Sequence, residues 1–333
     1  MSYKSYPFSS SMIQSKQLLL LTKEDILNAA GSETADAGLM LLSEKGYARG
    51  AGELENIFDF ESVIAYELTR VTDFLKSITP DENILELFLL KYDYLNAKTL
   101  LKLDLLGKVF SAKDISTNGM ISFDVLKESI AEDNYSRLPL DMADAMRVLD
   151  RKFAITEDAT VVGLILDKAY SKHVQTLLKN IKNDVIKRYF ESYADFTNIL
   201  MVLRLKNSQY SRDILDDTLL VGGKFFQADL EKAFEDKSDN ALSYFLKYGY
   251  EAVLKEPFEK LLSGDGLFFV EKARDDYLLG VLKEDRYDMF SSTMAASFLV
   301  AKEREAAAVR LLMVGMLNNI GINDIEKRLK DLY

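Results

Sequence analysis

The chain has 333 residues, beyond the roughly 250–300 at which a single hydrophobic core stops growing, so more than one core or a repeated architecture is expected. Its 53 acidic against 42 basic residues leave a formal charge of −11, a field that repels nucleic-acid phosphates and anionic lipid headgroups and speaks against both as partners. Without cysteine there is no disulfide, thiolate nucleophile or cysteine-ligated zinc, and a reducing, cytoplasmic setting is expected.

With only 4 prolines and 16 glycines, long helices are favoured. The N-terminal leucine run, Leu18 to Leu21, is too short for a signal-peptide core, and no run of about 18 apolar residues predicts a membrane span. Thr22 then opens a helix with Glu24 and Asp25 in its first turn, where the helix dipole favours acids. Gly46-Tyr47 ends the next helix, and Gly46 to Gly52 forms a bend on which Arg49 is a candidate partner contact. From Glu53 to Thr79 the residues Ile57, Ile64, Val71 and Ile78 form a coiled-coil-like stripe that Glu61 interrupts. Pro80-Asp81 closes it, and Glu82–Leu106 reads as a central helix apolar on nearly all sides, ended by Gly107.

Ser122 opens the next helix and Asn134-Tyr135 ends it; Asp158–Leu205 predicts two helices meeting near Asn180 to Asn183. Gly222-Gly223 marks a further turn, after which Phe226-Gln227 starts a helix with a poor cap. A short helix at Ala241–Lys247, Gly249-Tyr250, Pro257, a loop at Ser263 to Gly266 and a last long helix at Met294–Leu317 follow, with Asn323 as a final N-cap. Leu219–Val221 and Leu267–Val270 are too short to build a sheet.

Three marks recur in the same order at a period of about 100 residues, which predicts three diverged copies of one helical unit, 1–118, 119–222 and 223–333. The first is the helix start. The second is the Gly or Asn before Tyr47, Tyr135 and Tyr250. The third is Asp93 with Asn96, Asp195 with Asn198, and Glu305 with Ala308, each opening an apolar helix; Arg310 follows in the last copy. These positions are expected to be structural within the unit rather than partner contacts.

No chemistry is expected, and no cofactor. Gly222-Gly223-Lys224 lacks the first glycine and the hydroxyl residue of a phosphate-binding loop. His173 is alone, with no second histidine to complete a metal or nucleophile site. Asp216-Asp217 and Asp275-Asp276 are followed by Leu220 and Leu279 where a magnesium-binding helix would place a further acid, so solvated acids at helix ends are expected.

The runs SSSMIQSKQLLLLTKEDILNAAGSETADAGLMLLSEKGY, FLLKYDYLNAKTLLK, LLVGGKFFQADL and AKEREAAAVRLLMVGML resemble the C subunit of bacterial and archaeal V/A-type ATPases, a family that includes the d subunit of the eukaryotic vacuolar enzyme. The resemblance implies an all-α funnel of three similar units about a pseudo-threefold axis, peripheral to the membrane on its cytoplasmic face. It also implies a non-catalytic rotor part that receives the D and F shaft subunits and rests on the membrane proteolipid ring, linking ATP turnover to H⁺ or Na⁺ transport. The competing readings are a helical repeat scaffold binding a helical partner outside any ATPase, and a metal-dependent helical enzyme, which would need the paired acids to converge.

Overall fold

The computed structural model describes residues 4–52, 54–153, 160–206 and 210–333. Among them all regular structure is helical: α1 (Tyr6–Gln17), α2 (Lys23–Ala30), α3 (Ala35–Glu44), α4 (Phe60–Ile78), α5 (Glu82–Leu105), α6 (Phe123–Ala131), α7 (Leu140–Phe153), α8 (Thr160–Leu178), α9 (Asp184–Lys206), α10 (Ile214–Thr218), α11 (Gln227–Glu235), α12 (Ser238–Phe245), α13 (Glu251–Leu262), α14 (Phe268–Lys283), α15 (Thr293–Leu317) and α16 (Ile322–Arg328). No helix among the described residues is long and apolar enough to cross a membrane.

The chain forms two compact units. One is split in sequence, Met1–Leu85 with Asp275–Tyr333; the other, Glu86–Arg274, is continuous. In the split unit α15 is the central helix, packed against α1, α2, α3, α4 and α16. Small residues such as Ala301, Ala306 and Ala308 let its neighbours approach, and Val309, Leu312 and Met313 meet Ile26, Leu42 and Ile64 in the core. In the continuous unit α7 packs on α8, α10 on α8, and α11 on α9 and α12.

Local capping explains where the short helices start. Thr22 accepts from the Asp25 amide while Asp25 accepts from Thr22, a reciprocal capping box. Ser122 caps α6 through the Val125 amide, whereas α11 has no side-chain cap: Phe226 stands at the cap position, and Gln227, expected there, is the first helical residue.

Several boundaries differ from expectation. α16 is capped by Gly321, not Asn323: Gly321 takes the extended cap conformation, so the helix starts at Ile322 and Asn323 falls in its first turn. The left-handed residue before Tyr135 is Asp133, at φ 49°, rather than Asn134, whose side chain instead accepts from the Ser136 amide. The stripe helix α4 begins at Phe60, after the glycine bend; Glu53 lies outside the described residues. α8 and α9 part at Lys179 to Asn183, while Asp158 lies outside the described residues. α13 runs through Pro257, forgoing one helical hydrogen bond. Asp93, Asp195 and Glu305 do not open helices: each lies near the middle of α5, α9 or α15, deep in its unit.

Candidate functional site

The side chains at Asp93, Asn96, Asp195 and Asn198 are all buried. A spacing of three residues puts each Asp and Asn on one helix face, and that face meets the segment leading into the next helix start. Asp93 Oδ1 accepts from the amides of Met120 and Ile121 at 2.7 and 2.8 Å. Asn96 acts as a peptide surrogate: its Oδ1 accepts from the Ser116 amide at 2.8 Å and its Nδ2 donates to the Ser116 carbonyl at 2.9 Å. The second copy repeats the pattern atom for atom. Asp195 Oδ1 accepts from Lys224 and Phe225 at 2.7 and 3.2 Å, and Asn198 exchanges both bonds with Leu220 at 2.8 and 3.0 Å. We call this arrangement a clasp.

The clasp requires glycine. A Cβ on Gly119 would stand 2.6 Å from Asp93 Oδ1, and one on Gly223 would stand 2.2 Å from Asp195 Oδ1. Gly223→Ala is therefore expected to lift the segment off Asp195 and cost about 2–4 kcal/mol, as loss of buried hydrogen bonds does. Gly280→Ala, where a Cβ meets nothing within 4 Å in the interior of α14, should instead gain about 0.5–1 kcal/mol. Urea denaturation of the two variants checks the contrast.

Tyr250 links the second mark to the third, its hydroxyl donating to Asp195 Oδ2 at 2.8 Å. Burial pushes the Asp195 carboxyl up to about 6, against the hydrogen bonds from Tyr250, Phe225 and Lys224 that pull it down. Because its folded pKa lies above the ordinary 3.8, the folded chain holds this proton more tightly than the unfolded one. Its contribution is present in full below about pH 4 and is lost as pH rises through about 6, a swing of roughly 3 kcal/mol. Wild type should accordingly gain on Asp195→Asn as pH falls from 7 to 4, measured as the difference in unfolding free energy.

In the third copy the acid is Glu305 and no asparagine follows. Glu305 Oε1 accepts from the Leu21 amide, immediately before the Thr22 cap, so the last long helix holds the first helix start. An ionic network replaces the missing asparagine. Lys302 Nζ lies 2.6 Å from Glu305 Oε2 and 3.0 Å from Glu67 Oε1. Glu67 also receives Arg70 through Nε and Nη2 at 3.0 and 2.7 Å and the Ala48 amide at 3.1 Å. Glu67, Lys302 and Glu305 are 0, 5 and 1 % exposed, so their charges are balanced almost wholly by one another. Burial raises the Glu305 pKa against the pull of Lys302, and burial followed by Glu67 and Glu305 raises that of Tyr47 well above its usual value.

Glu67 and Lys302 carry no motif that singles them out in the sequence, although Glu67 falls three residues after Ile64 and four before Val71, on the apolar stripe itself. Both Glu61 and Glu67 break the apolar pattern, but only Glu67 is buried. Glu61 is half-exposed and receives the Arg310 fork at 2.5 and 2.7 Å. Arg310 thus stands away from the clasp of its copy.

Arg49 lies on a bend whose Gly46, Ala48, Gly50 and Gly52 all have positive φ. The Ala48 amide that Glu67 holds fixes the bend to α4. Arg49 is exposed, lines cavities of about 500 and 310 Å³, and meets no carboxylate among the described residues.

His173 packs against Tyr94, whose hydroxyl is 3.3 Å from its Nδ1, and burial lowers its pKa. The acid pairs are each engaged within their own unit. Asp217 pairs with Lys152 and Asp216 accepts from Gln227; Asp275 meets Lys330 and Arg304, and Asp276 accepts from the Asp331 amide. Among the described residues no three His, Asp or Glu side chains converge as metal ligands would.

Comparisons with known proteins agree along nearly the whole chain. The C subunit of the V-type sodium ATPase of Enterococcus hirae is 22% identical over 83% of this chain and 83% of its own length. The C subunit of the A-type ATP synthase of Methanocaldococcus jannaschii is 22% identical over 98% of this chain and 86% of its own, and that of Halorubrum lacusprofundi 24% over 91% and 84%. The profile of the ATP synthase (C/AC39) subunit matches residues 10–328, which takes in all three helix starts, both Asp–Asn clasps and the Glu305 network. An all-helical chain matched over that span belongs to the ATP synthase (C/AC39) subunit family, an accessory rather than catalytic part of V/A-type ATPases.

Proposed function

We propose that this chain is the non-catalytic rotor component that seats the central shaft, made of the D and F subunits, on the membrane proteolipid ring, so that ATP turnover and H⁺ or Na⁺ transport are mechanically linked. Three helical copies, 1–118, 119–222 and 223–333, form a funnel about a pseudo-threefold axis, peripheral to the membrane on its cytoplasmic side.

The observation that carries this reading is the order of the holds. Asp93 grips the start of the second copy at Gly119 to Ile121, and Asp195 grips the start of the third at Gly223 to Phe225. Glu305 of the third copy grips Leu21 in the first. Each hold ties a long helix to a helix start within its own compact unit, and a part that passes torque needs such stiffness rather than a reactive side chain. Buried hydrogen bonds between packed helices supply it, because close-packed interiors transmit strain. The charge of −11 favours attachment to the ring through protein loops rather than lipid headgroups.

The test uses the full-length chain as bait, with the purified D–F pair and the detergent-solubilised ring offered separately. Capture of both, with cross-links to this chain, is the expected result; capture of neither sinks the proposal. Arg49→Glu, at the exposed bend, should weaken D–F capture if that bend is a shaft contact.

A further inference from the structure

The split unit holds a second feature, which shares Arg49 with the bend tested as a shaft contact. A cavity of about 310 Å³ is lined by Lys16, Lys45, Arg49, Arg70 and Lys302, with Glu44 as the one acid in its wall. Five cations converge on it in a chain whose net charge is −11.

We propose that this cavity is a binding site for a small phosphate-class oxyanion. Its cations are of two kinds. Lys302 and Arg70 are fixed from behind by the fully buried Glu67, and Lys302 also by Glu305. Arg70 spends Nε and Nη2 on Glu67, which leaves the Nη1 edge of a pre-oriented guanidinium to donate to a ligand. Lys16 and Arg49 meet no carboxylate among the described residues, and Lys45, paired with Asp25 at 3.0 Å, keeps two further N–H groups. Two unneutralised cations against the single Glu44 leave the wall with an excess of positive charge.

The remaining wall is apolar, Leu19, Val71, Phe74 and Phe298, and lowers the local dielectric so that each charge acts more strongly. Guanidinium and ammonium donors spread around a concave site match the oxygens of a tetrahedral anion. The volume is at the small end of ligand pockets, about 300–1,000 Å³. Lys302, only 5 % exposed, is met by a free anion that enters the cavity rather than by a side chain presented on a flat partner surface.

The experiment is calorimetric titration of the full-length chain with inorganic phosphate at constant ionic strength, with chloride as the reference anion. Saturable one-to-one binding is expected. Lys16→Glu with Arg49→Glu should weaken it by about tenfold or more. Both side chains stand outside the Glu67–Lys302 network, and circular dichroism and the unfolding midpoint show whether the fold is kept. Glu44→Gln should strengthen binding. Phosphate that binds no better than chloride, or equally well to the double variant, overturns the proposal; so does an aspartate-rich peptide that binds where phosphate does not. Lys16→Glu alone should also weaken phosphate binding while leaving D–F capture untouched, which separates this site from the shaft reading.

Discussion

Lys302→Met is expected to destabilise the chain by about 3–5 kcal/mol, the range for removing one partner of a buried ion network. Lys302 is the only cation that touches both Glu67 and Glu305 among the described residues. Without it Glu67 still holds Arg70 and the Ala48 amide, but Glu305 keeps only the Leu21 amide and must take up a proton or let solvent in. The unfolding midpoint should fall by roughly 10 °C. The double variant Lys302→Met with Glu305→Gln tests the cause, because glutamine can still accept from Leu21 while carrying no charge. It should recover more than half of the loss; equal destabilisation of single and double variants would show that packing of the lysine stem, not charge, is what the site needs.

Asp195→Ala is expected to cost about as much, roughly 3–5 kcal/mol, for a different reason. Three donors converge on this side chain, the Lys224 and Phe225 amides and the Tyr250 hydroxyl, and alanine removes the acceptor of both amides and leaves Tyr250 its longer bond to Ser192 Oγ at 3.3 Å. Asp195→Asn preserves shape and an oxygen at the Oδ1 position, so at pH 7 it should lie within about 1 kcal/mol of wild type, having also removed a buried charge. Hydrogen exchange locates the effect: in the alanine variant the amides of Lys224 and Phe225 should exchange much faster, while those of Met120 and Ile121 on Asp93 should be unchanged. A loss spread evenly over both clasps would contradict a local role.

The helix starts at Thr22 and Ser122 are legible because capping is decided within four residues. The same holds for the break between α8 and α9 and for the three tyrosines at the helix exits, which are 1, 4 and 2 % exposed. The all-α class follows from long unpunctuated apolar patterns. What escapes a linear reading is anything whose meaning lies in a partner far along the chain. A glutamate at position 67 in an apolar stripe resembles an error of pattern until Lys302, far along the chain, is beside it. Asn118-Gly119 is a local turn signal, but the need for a bare Cα at Gly119 comes from Asp93, whose carboxylate fills the space. Asn134 and Asp133 are equally able to take a left-handed turn, and only the packing of Tyr135, with its hydroxyl on Asp150, selects between them.

The bond from Leu21 to Glu305 also sets a schedule for biosynthesis. α1 to α4 leave the ribosome first, yet the helix they pack against, α15, is among the last to emerge. At about 5–20 residues per second the interval between Leu85 and Thr293 is roughly 10–40 s. Over that time the apolar faces of Ile26, Leu42 and Ile64 have no α15 to cover them, while Glu86–Arg274 is already long enough to fold as a continuous body. Nascent chains stalled before α15 should therefore hold chaperones on their N-terminal helices, and release them only when Lys302 and Glu305 arrive.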